Sequence, residues 1–485
     1  MIGDTMFTTN DLKDLLKELR GNKEKVAAAN EGIKHANNTP SDLQLFLLQN
    51  TLKYVYANCN YYRHIYTTNK ISVLDVKMPK DLSRLPLTKR EDLEKHVEDF
   101  ISAKSKPGFV GRTSGTTTGT PMIIYRSAEE VEADRLLWSI SSSLSETKKK
   151  TRVGVILSQN VLSHGSLPPI YHQMLFISSQ VDFSLIYAPF NPTLDRRFDG
   201  FIKILQTQFC ISKHRKVYPT ALYGSPLSIE LITREMINRN LNPSKSAIEH
   251  IGMTGSYIPS HRRRFIADSW NGSVYNTYSM AEHCGTASTC ANGDLQHFSI
   301  SCIPEVIDIG TQRQLDLGQE GVMVLTSLYP FQQCVPLIRY LTGDIVILTN
   351  ERCSICGYEG ISIKEFVGRV HRCLDLSEIS QGKNRFVSSA KTYDVLSKFP
   401  EFTPSQNTVP RFNFVKSNKG GNLKVKIQIE VFNHAFVKDN RLRENIMEQV
   451  MRMHSWDKSF PSVELDIEFL PPFAIPTSRP EADRV

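Results

Sequence analysis

Arg112-Thr113-Ser114-Gly115-Thr116-Thr117-Thr118-Gly119-Thr120-Pro121 crowds hydroxyls and two glycines into one loop without an apolar anchor. Glycine lets the backbone take positive φ and close on an anion, while main-chain N–H groups and Ser/Thr hydroxyls donate without filling space. That chemistry suits a phosphate, although the same composition also describes an ordinary solvent loop. A nucleotide P-loop would end in Gly-Lys-Ser/Thr, whereas Met122 follows Pro121 here, so the lysine that reaches terminal phosphates is missing. Val110 on one side and Ile123-Ile124-Tyr125 on the other set the run in a strand–loop–strand.

Upstream, Leu12, Leu15, Leu16 and Leu19 recur at helical spacing between a Thr9 or Asn10 cap and Gly21. A second helix follows Pro40 and Ser41, with Leu45, Leu48, Leu52 and Val55 on one stripe. The segment Leu85-Pro86-Leu87-Thr88-Lys89-Arg90-Glu91-Asp92-Leu93 opens a third, with Thr88 as its expected cap.

Downstream, from about Thr151 to Ile347, short apolar runs (Val153 to Leu157, Val322 to Leu328) alternate with amphipathic stretches at Leu227 to Arg239 and Pro259 to Trp270. This alternation predicts an α/β domain with buried strands. Beyond Phe366 the pattern changes. Leu423, Val425, Ile427, Ile429 and Val431 alternate with polar residues, as do Val463, Leu465, Ile467 and Phe469, around a helical stretch from Asn440 to Met453. A small α+β domain with a half-exposed sheet is expected, with a hairpin turn at Ser417 to Asn422.

The chain of 485 residues is too long for a single core. At 40% hydrophobic and 22% charged residues it reads as globular. Its +8 net charge is scattered, without the basic blocks and interleaved aromatics of a nucleic-acid surface, so no nucleic acid is expected. No basic leader with an apolar core and no 18-residue apolar span is present, which predicts a cytoplasmic protein without a membrane partner. Nine cysteines without framework spacing suggest reduced thiols or metal ligands.

Several separated segments together resemble the adenylate-forming ligases, most closely the phenylacetate–CoA ligase branch. The Ser/Thr/Gly run resembles that family's phosphate loop. Val274-Tyr275-Asn276-Thr277-Tyr278-Ser279-Met280-Ala281-Glu282 resembles its tyrosine-to-glutamate motif, and Leu337-Ile338-Arg339-Tyr340-Leu341-Thr342-Gly343-Asp344 its Arg-Tyr-x-Thr-Gly-Asp signature. Gly368-Arg369-Val370 is similar to the hinge motif, and Leu85 to Lys89 is typical of the branch. The order of these segments carries the resemblance from Leu85 to Arg369, with a weaker echo to the C-terminus.

The resemblance implies an α/β fold: a large multi-subdomain adenylation domain over residues 1–367, binding ATP and acid, and a small mobile α+β domain over residues 368–485. It implies ATP and magnesium as cofactors. Thr113, Ser114, Gly115, Thr116, Thr117 and Gly119 would grip the phosphates, and Gly255, Ser256 and Asn276 would add contacts to the nucleotide. Tyr278 offers a flat face to a purine, or else is a core tyrosine. Glu282 would bridge magnesium to the triphosphate, against the alternative of an exposed helix-start residue. Asp344 can accept both ribose hydroxyls, though Asp is also a common turn former. Arg369 can meet ribose or phosphate oxygens, or lie on the surface. Thr116, Glu282 and Arg369 are the expected catalytic residues. The reaction would be attack of a small, aromatic carboxylic acid on the α-phosphorus of ATP, then transfer to a thiol or amine such as CoA, a carrier protein or an amine. A homodimer is a further expectation.

Cys353-Ser354-Ile355-Cys356-Gly357 is a cysteine knuckle, half of a zinc site. Members of the resembled branch can carry a Cys/His cluster here, which implies Cys290 and His297 as the second half of a structural zinc site; Cys284 and His283 compete, and packed thiols are the other reading. His164, beside Tyr223-Gly224-Ser225, is either an acyl-pocket residue or a loop histidine.

The sequence also departs from the family. Glu481 stands where the C-terminal catalytic lysine is usual, His371 where the hinge carries an acidic residue, and Leu374 to Ser388 is irregular. A carboxylate facing phosphates repels them, so Arg479 or another cation would substitute and the acceptor would not be CoA. Two alternatives follow: a diazotase-like relative that adenylates an unusual acid or nitrite and couples it to an amine, and a catalytically degenerate nucleotide-binding relative.

Overall fold

The leucine stripe forms helix α1 (Asp42–Asn58), with Leu48, Leu52 and Val55 buried along it. The computed structural model describes residues 42–113, 122–133, 153–157, 183–187, 195–381, 384–402, 409–419 and 422–475. The stripe at Leu12 to Leu19, His164, and the tail holding Arg479 and Glu481 lie outside them. Helix α2 (Asn60–Thr68) follows Cys59 and turns Tyr62 and Tyr66 into the core that α1 lines.

Helix α3 (Arg90–Phe100) begins later than expected. Lys89 is its N-cap and Asp92 accepts the Lys89 N–H at 2.8 Å. Thr88 is occupied elsewhere: its hydroxyl donates to the Ile338 carbonyl at 2.7 Å, and its backbone exchanges hydrogen bonds with Arg339 and Leu341. Capping therefore passes to the next residue, and Leu85 to Lys89 is sewn to the Arg-Tyr-x-Thr-Gly-Asp segment. Strands β1 (Phe109–Arg112) and β2 (Ile123–Arg126) pair antiparallel, as expected around the Ser/Thr/Gly loop; residues 114–121 are outside the described set.

Among the described residues, eleven strands form one mixed sheet. It contains β3 (Val153–Leu157) and β4 (Phe183–Tyr187); β5 (Phe209–Ser212) and β6 (Arg215–Val217) form a separate hairpin. The sheet continues with β7 (Ala221–Gly224), β8 (His250–Thr254), β9 (Ser273–Tyr278), β10 (Ala287–Thr289) and β11 (Gln296–Phe298). It ends with β12 (Cys302–Ile307), β13 (Glu320–Ser327), β14 (Tyr340–Thr349) and β15 (Ser362–Arg369).

From β4 through β3, β7 and β8 to β9 the neighbours are parallel. From β9 onward, through β10, β11, β15, β14, β13 and β12, they are antiparallel. Helices α4 (Asp195–Leu205), α5 (Pro226–Asn238) and α6 (Ser260–Trp270) serve the parallel half, burying Phe198, Ile229 and Trp270 against Val155, Leu222 and Val274. Parallel strands need such covers, and β3 and β7 are apolar accordingly, whereas β8 alternates buried Ile251 and Met253 with more exposed neighbours.

After β15 the chain forms a short hairpin, β16 (Leu374–Asp375) with β17 (Phe386–Val387), within the stretch that looked irregular. Helix α7 (Ser389–Leu396) follows, then a three-stranded sheet of β18 (Phe412–Lys419), β19 (Asn422–Glu430) and β20 (Val463–Leu470). Helices α8 (Asn440–His454) and α9 (Trp456–Ser459) connect β19 to β20. The alternation divides this sheet as expected: Ile427, Ile429 and Ile467 pack on Ile446 and Val450, while Lys424 and Lys426 pair with Glu464, Asp466 and Glu468. Lys419 pairs with Asn422, so the turn is tighter than Ser417 to Asn422 and Ser417 belongs to a strand. Gly368, at φ +142°, has Ser389 Oγ and Cys373 Sγ where a Cβ would stand, so only glycine fits where the large sheet gives way to the C-terminal elements.

Candidate nucleotide and metal sites

Strands β14 and β15 are in register at Asp344 and Arg369, directly opposite each other. Gly343, at φ +76°, turns the strand just before Asp344, and the Asp344 N–H is received by Thr342 Oγ1 at 3.1 Å. Asp344 is 1% exposed. Its Oδ2 accepts the Tyr278 hydroxyl at 2.6 Å, and its Oδ1 lies 3.1 Å from Arg369 Nε. Burial and the adjoining carboxylate hold the Tyr278 phenol well above its ordinary pKa, so it remains a donor. Asp344 in turn raises the Arg369 guanidinium.

Glu282 enters the same neighbourhood: its charge is felt at both Tyr278 and Arg369. Its Oε1 accepts the buried Tyr340 hydroxyl at 3.1 Å. The surrounding main chain is also fixed. Gln332 donates to the Glu282 carbonyl at 2.9 Å and accepts from the Cys284 N–H at 2.9 Å, and Arg126 donates to the Ala281 carbonyl at 3.1 Å.

The neck of the Ser/Thr/Gly loop is closed by Thr113. Its N–H donates to the Met122 carbonyl at 2.9 Å, its Oγ1 accepts the Met122 N–H at 2.9 Å, and Arg90 Nη2 lies 3.4 Å from the same hydroxyl. Ser114, Gly115, Thr116, Thr117 and Gly119 are outside the described residues. Gly255 follows β8 at φ +95°, a conformation that favours glycine, with Ser256 next to it. Asn276, on β9, has a buried Oδ1 with no hydrogen-bond partner among the described residues, the kind of acceptor an exocyclic amine can satisfy.

A buried carboxylate ties the residue after β2 to the segment at Gln333 and Cys334. Glu130 Oε2 accepts the Ser127 N–H at 2.8 Å, while Oε1 accepts from Cys334 N at 2.7 Å and from Gln333 N. Replacing it by glutamine turns an amide N–H₂ toward one of these donors. Glu130→Gln is expected to cost about 1–3 kcal/mol, seen as a lower denaturation midpoint in urea; an unchanged midpoint would refute the role.

Cys290, His297, Cys353 and Cys356 converge, with their ligand atoms all within 4.8 Å of one another. Zn–S bonds of about 2.3 Å and Zn–N bonds of about 2.0 Å in a tetrahedron require S···S near ~3.8 Å and S···N near ~3.5 Å. Cys290 and Cys353 sulfurs are 3.8 Å apart, and Cys356 Sγ is 3.4 Å from His297 Nε2. The other imidazole nitrogen, Nδ1, meets Ser362 Oγ at 2.9 Å, which orients the ring. Gly357, at φ +75°, closes the knuckle by donating to the Cys353 carbonyl at 2.9 Å. Burial alone would raise the Cys353 thiol, but the N–H groups of Cys356 and Ile355 outweigh it and bring it below its ordinary value. Burial lowers His297 to about 4, keeping the ring neutral. The residues fit zinc. Cys284 and His283 are engaged elsewhere, with Ser301 and Gly285. All nine cysteines are free thiols.

Around Glu282 and Thr113, sequence reasoning missed four participants. Tyr340 and Arg90 stood inside quoted segments, but nothing local shows that their side chains reach Glu282 and Thr113. Arg126 and Gln332 carried no sequence signal.

No family model matches the chain. It is 23% identical over 456 residues to the phenylacetate-coenzyme A ligase of Thermus thermophilus, covering 90% of this chain and 93% of that protein. It is 24% identical to Protein CapK of Staphylococcus aureus, over 67% of this chain and 68% of that protein. Among solved structures, 2-hydroxyisobutyryl-CoA ligase in its postadenylation state matches with a TM-score of 0.64 at 16% identity, over 90% of this chain and 88% of that one. The same ligase in its thioesterification state gives 0.56 at 17% identity, over 90% and 87%. Among the described residues no helix is long and apolar enough to cross a membrane.

Proposed function

We propose, from the chain's place in the adenylate-forming superfamily on the phenylacetate–CoA ligase-like branch, that it is an ATP-dependent ligase that activates a small carboxylic acid as its acyl-adenylate. The observation that carries the reading is the convergence of Tyr278, Asp344 and Arg369 beside Glu282. A carboxylate oxygen of the substrate attacks the α-phosphorus of ATP in line, the bond to the bridging oxygen breaks, and pyrophosphate leaves. Little of this needs a general base; positioning and charge neutralisation dominate.

Asp344 takes the ribose hydroxyls, Asn276 and the turn at Gly255 and Ser256 meet the base, and Thr113 takes part in holding the phosphates. Glu282 supplies the carboxylate for magnesium, which when bound neutralises phosphate charge. The proposed zinc is structural, since three thiolates and an imidazole leave no open position. The acyl group then passes to a thiol or an amine, and aromatic acids are the first substrates to try.

Isotope exchange between pyrophosphate and ATP, run against a panel of aromatic and short aliphatic acids, tests the first step. Acid-dependent exchange that requires magnesium is expected. A preparation that binds ATP yet gives no exchange with any acid would instead favour a nucleotide-binding relative without ligase chemistry.

A further inference from the structure

We infer that Tyr340 is a positioning residue that fixes the Glu282 carboxylate in the orientation used to hold the metal–triphosphate. The inference rests on the functional reading above and adds a residue to it.

Glu282 lies in a turn after β9, where a long side chain has several rotamers to choose from. The main chain around it is splinted by three hydrogen bonds from two side chains, one from Arg126 to Ala281 and two joining Gln332 to Glu282 and Cys284. Gln332 is itself anchored, being 1% exposed and donating also to the Val335 carbonyl at 2.6 Å. A fixed backbone still leaves the carboxylate free to swing. The described contact that stops it is the Tyr340 hydroxyl, 3.1 Å from Oε1.

Tyr340 can act as a stop because it cannot move. It is 2% exposed, lies within the core shared with Tyr62 and Leu337, and opens β14, whose first pairs with β13 are Tyr340 to Leu325 and Leu341 to Val324. Thr88 grips the main chain on both sides of it, through Arg339 and Leu341. A phenol has one proton, so it engages one carboxylate oxygen and leaves the other lone pairs for a cation. A hard divalent cation bound by one carboxylate and phosphate oxygens tolerates little error in that oxygen's position.

The same strand carries Asp344. Tyr340 and Asp344 thus set the positions of the two carboxylates from one rigid element, at the metal end and the ribose end of the nucleotide respectively.

The test measures ATP binding by calorimetry as a function of magnesium concentration, on the full chain. For Tyr340→Phe, about tenfold more magnesium is expected for half-maximal ATP binding, with ATP affinity at saturating magnesium close to wild type. Glu282→Asp withdraws the carboxylate from the hydroxyl, and from the cation as well, without touching the core, and should show a shift at least as large. Adding Tyr340→Phe to Glu282→Asp should then change nothing further, whereas a merely structural tyrosine would give additive losses. Coincident magnesium curves for Tyr340→Phe and wild type overturn this inference and leave the functional reading intact. A wild-type protein that binds no ATP, or binds it equally without magnesium, overturns the reading of Glu282 and this inference with it.

Discussion

Asp344→Ala is expected to weaken ATP binding by about two orders of magnitude, from two lost charge-assisted hydrogen bonds at roughly 1.5 kcal/mol each. The carboxylate is nearly fully buried and already braced by Tyr278 and Arg369, so its oxygens are held in place before any ligand arrives. Removing it deletes the ribose acceptor and also leaves a guanidinium and a phenol facing each other without their shared partner. Asp344→Asn separates the two effects. It keeps the shape and one acceptor, so a loss intermediate between wild type and alanine is expected, with folding stability nearer to wild type. Isothermal titration with ATP is the measurement. An affinity for Asp344→Ala within twofold of wild type would remove the ribose contact from the site.

Cys353→Ser is expected to abolish stoichiometric metal binding and to lower thermal stability by the largest amount of any single change considered. The purified wild-type protein should contain about one equivalent of zinc by elemental analysis, and the variant close to none. Metal binding to preassembled thiolates is folding free energy for the segment that carries them. Here that segment joins two places far apart in sequence: the β10–β11 hairpin, through Cys290 and His297, and the turn between β14 and β15, through Cys353 and Cys356, 63 positions beyond Cys290. Strong chelation of the wild type should reproduce the melting shift. A metal-free protein that melts at the same temperature as the wild type as purified would leave four packed side chains and no zinc site.

The parts of the fold that were legible are those whose signal is local. Helix α1 follows from four apolar residues at helical spacing, and β19 and β20 follow from strict alternation, because each buries one stripe or one face against a single partner. The two halves of the large sheet were not separable. β10 and β11 are three residues each, too short for any period to declare itself, yet they carry the switch from parallel to antiparallel pairing. Thr88 failed as a cap for a similar reason: its use as a partner of Ile338 lies 250 residues away.

The candidate site divides the same way. Tyr278, Glu282, Asp344 and Arg369 could be named because each sits in a short ordered motif. Their mutual geometry could not, since the Tyr340–Glu282 bond spans 58 positions and the Tyr278–Asp344 bond 66. The cysteine knuckle was visible as a spacing, whereas the approach of Cys290 and His297 depends on β11 pairing with β15.

The Asp344–Arg369 pair, finally, sits at a frontier: Arg369 is the last residue of the large sheet before the C-terminal elements begin. Ribose hydroxyls donating into Asp344 would draw electron density from the oxygens that Arg369 holds. On the proposed ribose contact, nucleotide and Arg369 would share the same carboxylate, and their holds on it would be coupled. Such a coupling is reciprocal: whatever factor a bound nucleotide changes in the population of the released Arg369, releasing Arg369 must change by the same factor in nucleotide affinity.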